Sequence, residues 1–80
     1  MFEAIYNLKK LGNFNSFKEA FKAIYDAILT ADPDDSFSYQ TLETAVWVKD
    51  DNSPFPVMFY DARDRACDEG WIVDGKWINT

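Results

Sequence analysis

Apolar and polar residues alternate from the start of the chain, with Phe2, Ala4, Tyr6 and Leu8 on one side and Glu3, Ile5 and Asn7 on the other. A period of two, carried by aromatic and β-branched residues, predicts a strand over 2–8. Lys9 to Asn15 contains Gly12 and two asparagines and reads as a turn. The period then lengthens: Phe17, Ala20, Phe21, Ile24, Ile28 and Ala31 recur at intervals of three and four. That is one apolar stripe on a helix running to about Thr30. Ser16 and Glu19 hold the spacing of a capping box, in which each side chain satisfies a free amide at the helix start. Phe14, just ahead of the cap, is placed to pack back on the first turn. Asp32-Pro33-Asp34-Asp35 stops the helix and opens an acidic loop.

Period two returns over Tyr39 to Lys49, where Leu42, Thr44, Val46 and Val48 alternate with Glu43, Ala45 and Trp47. Apolar residues on both faces predict a central strand. Asp50 to Pro54 is a turn, and Phe55 to Phe59 a short strand that its neighbouring prolines, Pro54 and Pro56, confine to an edge. A second helix is expected over Phe59 to Glu69, with Phe59, Ala62 and Ala66 on its inner face and Gly70 as its stop. Asp61 with Arg65, and Arg65 with Glu69, sit four apart and can pair weakly. The chain ends in Trp71-Ile72-Val73, Asp74-Gly75, Lys76-Trp77-Ile78. Asp-Gly between apolar triplets predicts a hairpin with a type I′ turn. Strict alternation in that hairpin puts Trp71 and Trp77 on opposite faces.

The element order β-α-β-β-α-β, ending in a hairpin, predicts an α+β fold: a small single-layer sheet with two helices packed on it. A ferredoxin-like split βαβ sandwich fits that order. So does a meander with both helices on one face. Eighty residues, with neither repeat nor linker, form one domain over 1–80. The chain is unusually aromatic, at 18% Phe, Trp and Tyr. Each buried aromatic removes roughly 150–250 Å² from water, which helps a short chain build a core.

Charge changes the picture more than composition does. The net charge is −6. Lys9, Lys10, Lys18 and Lys22 outnumber the acids in the first thirty residues, so the excess of carboxylates lies in the rest of the chain. Such a surface repels phosphate backbones and anionic headgroups, so direct nucleic-acid binding and membrane binding are not expected. A lone cysteine, Cys67, forms no internal disulfide and fits a reducing, cytoplasmic location. Cys67 itself reads as a small buried helix residue.

Catalytic chemistry is poorly provided for. The chain has no histidine, neither a G-x-G-x-x-G nor a Walker sequence, and no second thiol. This removes imidazole acid–base work, Ser-His and Cys-His nucleophiles and the common zinc sites. Asp32, Asp34, Asp35 and Ser36 partly match a calcium loop, but Phe37 stands where its glycine belongs and Glu43 falls in the expected strand. Solvated loop acids are the simpler reading, as they are for Asp50 and Asp51. No enzyme activity, metal or cofactor is expected.

What remains is a surface. Asp61, Asp64 and Asp68 lie three and four apart on one face of the second helix, followed closely by Trp71 and Trp77. Acids beside aromatics suit a protein interface. The resulting expectation is a non-enzymatic protein-binding module, a regulator, adaptor or inhibitor, with a protein partner on that surface. In its acidic, motif-poor character the chain resembles small regulatory or inhibitory proteins of bacteria and their phages, a resemblance of type that carries over no site. A homo-oligomeric structural protein, extending its sheet through the edge at Phe55–Met58 or through the hairpin, is the alternative. A nucleic-acid mimic and an enzyme built on carboxylates or a divalent ion are lesser ones.

Overall fold

Phe2–Tyr6 forms β1 and Lys9–Phe14 forms β2 in a computed structural model that describes residues 1–31 and 45–78. The segment expected as a turn, Lys9 to Asn15, is therefore a strand for most of its length. The reversal lies earlier, at Asn7 and Leu8, whose φ angles of 54° and 65° join Tyr6 directly to its partner Lys9. Two central residues at positive φ make a type I′ turn, the form whose twist matches the flanking strands. Leucine is a costly occupant, because a side chain in the left-handed region loses roughly 1–2 kcal/mol. Gly12 does not turn the chain. It pairs with Ala4, next to a β-bulge that leaves Leu11 without a partner between Lys10 and Gly12.

Helix α1, Phe17–Ala31, follows the predicted stripe: Phe17, Ala20, Phe21, Ile24 and Ile28 are all buried. Its start is capped as expected. The Glu19 amide donates to Ser16 Oγ at 3.1 Å, and the Glu19 carboxylate accepts from the Asn15 amide at 3.3 Å. The reciprocal bond thus reaches one residue beyond the cap. Phe14 is half-buried against the core.

Strand β3, Trp47–Asp50, is central, as its pattern predicts, but begins later than the alternation suggests. Ala45 and Val46 are both buried and precede it. Two consecutive buried residues break the alternation of a strand with one covered face. The remainder of the expected strand, 39–44, and the acidic loop at 32–36 lie outside the described residues. After the turn at 51–56, β4 is only Val57–Met58, pairing with Val48 and Trp47 at the sheet edge. Phe59–Asp68 is helix α2, with Phe59, Ala62 and Ala66 buried. Ile72–Val73 and Lys76–Trp77 are β5 and β6, closed by Asp74 and Gly75 at φ 54° and 76°, as the Asp-Gly signal predicts.

The four-stranded sheet has the order β2-β1-β3-β4 with every pairing antiparallel, and β5-β6 forms a separate hairpin. A split βαβ sandwich places the strand that follows its second helix inside the same sheet, whereas the strands that follow α2 here, β5 and β6, form a hairpin of their own. Both helices cover one face. Ala4 and Val48, directly opposed across β1 and β3, are buried in one cluster with Phe21 and Ile24 of α1 and Phe59, Ala62 and Ala66 of α2. Alternation sends Ile5, Trp47 and Met58, registered across three strands, to the other face of the sheet. The fold is the expected small α+β arrangement, with one more strand than predicted.

Candidate functional site

Helix α2 divides its residues cleanly. Burial of Phe59, Ala62 and Ala66 fixes the rotation of the helix, and Asp61, Asp64 and Asp68 are left exposed to solvent. The ion pairs among the described residues are Met1–Asp51, Glu3–Lys10 and Lys22–Asp26, and none involves these three aspartates. Arg65 does not pair with Asp61 or Glu69 as its spacing suggests. Its guanidinium instead lies over the Phe17 ring, 4.1 Å from the centroid, which ties α2 to the start of α1.

The helix ends in a Schellman motif. The Trp71 amide donates to the Ala66 carbonyl at 2.9 Å and the Gly70 amide to that of Cys67 at 3.1 Å, with Gly70 at φ 82°. That left-handed residue turns Trp71 back onto the body of the protein before β5 begins. As a result, Trp71 and Trp77 do not lie on opposite faces of the hairpin. Their rings are 6.1 Å apart and both are half-buried. Strict alternation does not extend to Trp71, whose carbonyl still accepts from the Ile78 amide at 2.9 Å but which lies outside β5, directly after the left-handed Gly70.

Each tryptophan sits between an α1 aromatic and an α1 lysine. Trp71 packs 6.3 Å from Phe17, with Lys18 Nζ 5.8 Å from its own centroid. Trp77 packs 6.3 Å from Phe21 and 5.8 Å from Tyr25, with Lys22 Nζ 5.8 Å away. Lysines 18 and 22, one helical turn apart, thus overlie the two rings, and the Tyr25 hydroxyl donates to the Gly75 carbonyl at the hairpin tip. The charged neighbours that the structure assigns to these tryptophans are cations of α1. The outer face of α2 carries the exposed carboxylates of Asp61, Asp64 and Asp68.

The most exposed apolar side chains were not legible as such in the sequence. Phe55 is 76% exposed, Leu8 70% and Ile78 59%, with Val73 and Leu11 also exposed. For Val73 and Ile78 a signal existed: both fall opposite to the Ile72–Trp77 face of the hairpin. Cys67 is exposed rather than buried, because the inner positions of α2 are taken by Ala62 and Ala66. Among the described residues, no three Asp, Glu or Cys side chains converge as metal ligands, and no helix is long and apolar enough to cross a membrane. Comparison with protein-family models, with curated proteins and with solved structures finds no match for this chain.

Proposed function

We propose that this chain is a non-enzymatic protein-binding module, a regulator, adaptor or inhibitor that offers the outer face of α2 to a basic partner. The observation that carries the reading is the exposed triad Asp61, Asp64 and Asp68, outside every ion pair among the described residues. Surface carboxylates in a −6 chain that have no ion-pair partner among the described residues break no such pair on docking, and they steer a cationic surface toward the helix. The exposed Val73 and Ile78 of the hairpin that follows α2 supply apolar contact area.

Edge-to-edge self-assembly is the less favoured reading. Strand β2 carries Lys9, Lys10 and a bulge at one sheet edge. At the other edge, β4 is two residues long and follows Pro54 and Pro56. Charges, bulges, prolines and short strands all blunt an edge against pairing.

The test is a tagged pull-down from native-host lysate after nuclease treatment, run in parallel with a D61N/D64N/D68N variant whose fold is verified by circular dichroism. A stoichiometric protein held by the wild type, with affinity reduced on the order of tenfold in the variant and weakened by salt, is the expected result. Equal capture by both chains removes the α2 face from the reading.

A further inference from the structure

Leu8 combines two features that folding leaves unrewarded. Its backbone is held at φ 65°, and its side chain is 70% exposed. The second hairpin solves the same geometric problem with Gly75 at φ 76°. Glycine at position 8 would make the same turn without strain and without presenting an apolar side chain to water. The turn is also pinned from outside, since the Leu8 amide donates to the Ala45 carbonyl at 3.1 Å. The leucine is therefore presented in a fixed direction, which lowers the entropic cost of inserting it into a partner.

The residues that follow extend the feature. Lys9 and Lys10 are exposed, and Leu11, expelled by the bulge, is exposed as well. Lys10 is matched by Glu3 at 3.4 Å, whereas Lys9 stands outside the ion pairs among the described residues. The hairpin tip is thus apolar and cationic on a chain whose net charge is −6.

We propose that this tip, Leu8 with Lys9 and Leu11, is an anchor for a protein partner that offers an apolar pocket with an acidic rim. Charge complementarity selects that occupant. A pocket rim meets Lys9 within the roughly 8 Å over which charges act at physiological salt, so the tip's local charge decides the contact. An anionic lipid surface meets the whole protein and is repelled by its excess of carboxylates. The anchor does not rest on the α2 reading, and its variants are separate from the aspartate set.

The decisive variant is Leu8→Gly, which keeps the turn and relieves its backbone. Proteins captured from native-host lysate by the wild type and lost with Leu8→Gly are identified by mass spectrometry, purified, and titrated against wild type, Leu8→Gly, Lys9→Gln and D61N/D64N/D68N. Leu8→Gly is expected to weaken binding at least tenfold while its Tm rises by about 3–6 °C. Lys9→Gln is expected to weaken binding several-fold and to flatten its salt dependence. A wild type that captures nothing beyond what Leu8→Gly captures overturns the proposal, and so does a fall in Tm for Leu8→Gly. Two controls use the purified chain alone. Leu8-dependent co-sedimentation with vesicles of phosphatidylcholine and phosphatidylserine would assign the tip to a membrane instead. A Leu8-dependent dimer in light scattering would assign it to a second copy of the chain. Discrimination by the aspartate variant alone, with Leu8→Gly binding as wild type, would leave the α2 reading standing and end this one.

Discussion

The hydroxyl of Tyr25, midway along α1, donates a hydrogen bond to the carbonyl oxygen of Gly75, fifty residues away at the tip of the C-terminal hairpin. The same tyrosine ring packs 5.8 Å from Trp77 and 6.5 Å from Phe21. Tyr25→Phe removes the bond and keeps the ring. Because the bond is solvent-accessible, the expected loss is about 0.5–1 kcal/mol, read as a lower urea midpoint with an unchanged slope. Amides of β5 and β6 should lose more hydrogen-exchange protection than those of β1 and β3, since the bond fastens only the hairpin. Equal loss in both sheets would mean that the hairpin and the main sheet open as one unit.

Phe21 is the hub of the core. It is fully buried and lies 5.9 Å from Phe59 of α2, 6.3 Å from Trp77 of the hairpin and 6.4 Å from Phe17. Phe21→Ala leaves a void shared by three elements that cannot all close on it. Truncations of this kind cost roughly 3–5 kcal/mol, against a typical stability of 5–15 kcal/mol for a whole domain. The expected outcome is a protein at or near its unfolding midpoint at 37 °C, measured by far-ultraviolet circular dichroism on heating. Phe21→Leu, which retains most of the volume, should remain folded at that temperature.

The two type I′ turns show what a sequence reader can and cannot see. Asp74-Gly75 announces itself, because glycine is the residue that positive φ selects. Asn7-Leu8 does not, since nothing about leucine suggests a left-handed backbone. Gly12 carries the local turn signal, yet it lies inside β2, five residues beyond the start of the actual turn at Asn7. The helices were legible because three-and-four spacing survives whatever packs against it, down to the buried residues of α1 and α2. The same spacing located Asp61, Asp64 and Asp68 correctly on an exposed face. The tryptophans were harder. Their placement depends on Gly70 turning the chain and on Lys18 and Lys22, about fifty residues earlier, covering their rings. No local pattern encodes a contact at that separation.

Ser16 supplies the side-chain acceptor at the start of α1, receiving the Glu19 amide at 3.1 Å. Ser16→Ala leaves that amide to water, at a typical cost of about 1 kcal/mol. Ser16→Asp restores an acceptor and adds a negative charge at the positive end of the helix dipole, so it should match or exceed the wild type. Denaturant melts of the three proteins give the order Asp ≥ Ser > Ala. An alanine variant as stable as the wild type would show that the Glu19–Asn15 bond, at 3.3 Å, holds the cap by itself.

Cys67 tests the rotation of α2 directly. It is the only thiol in the chain, and it is exposed on a helix whose buried positions are Phe59, Ala62 and Ala66. A helix rotated to bury Cys67 would bring Asp64 or Asp68 toward the core, so the thiol and the acidic face report on the same geometry. In native buffer, one equivalent of an aromatic disulfide reagent should be consumed at a rate that adding denaturant changes little, because no opening step precedes the reaction. Cys67→Ser should alter stability by less than about 0.5 kcal/mol, as surface substitutions generally do. Slow labelling that accelerates severalfold on unfolding, together with a serine variant destabilised by more than about 1 kcal/mol, would place the thiol in the interior. The exposed aspartate face, and the protein-binding reading built on it, would then have to be abandoned together.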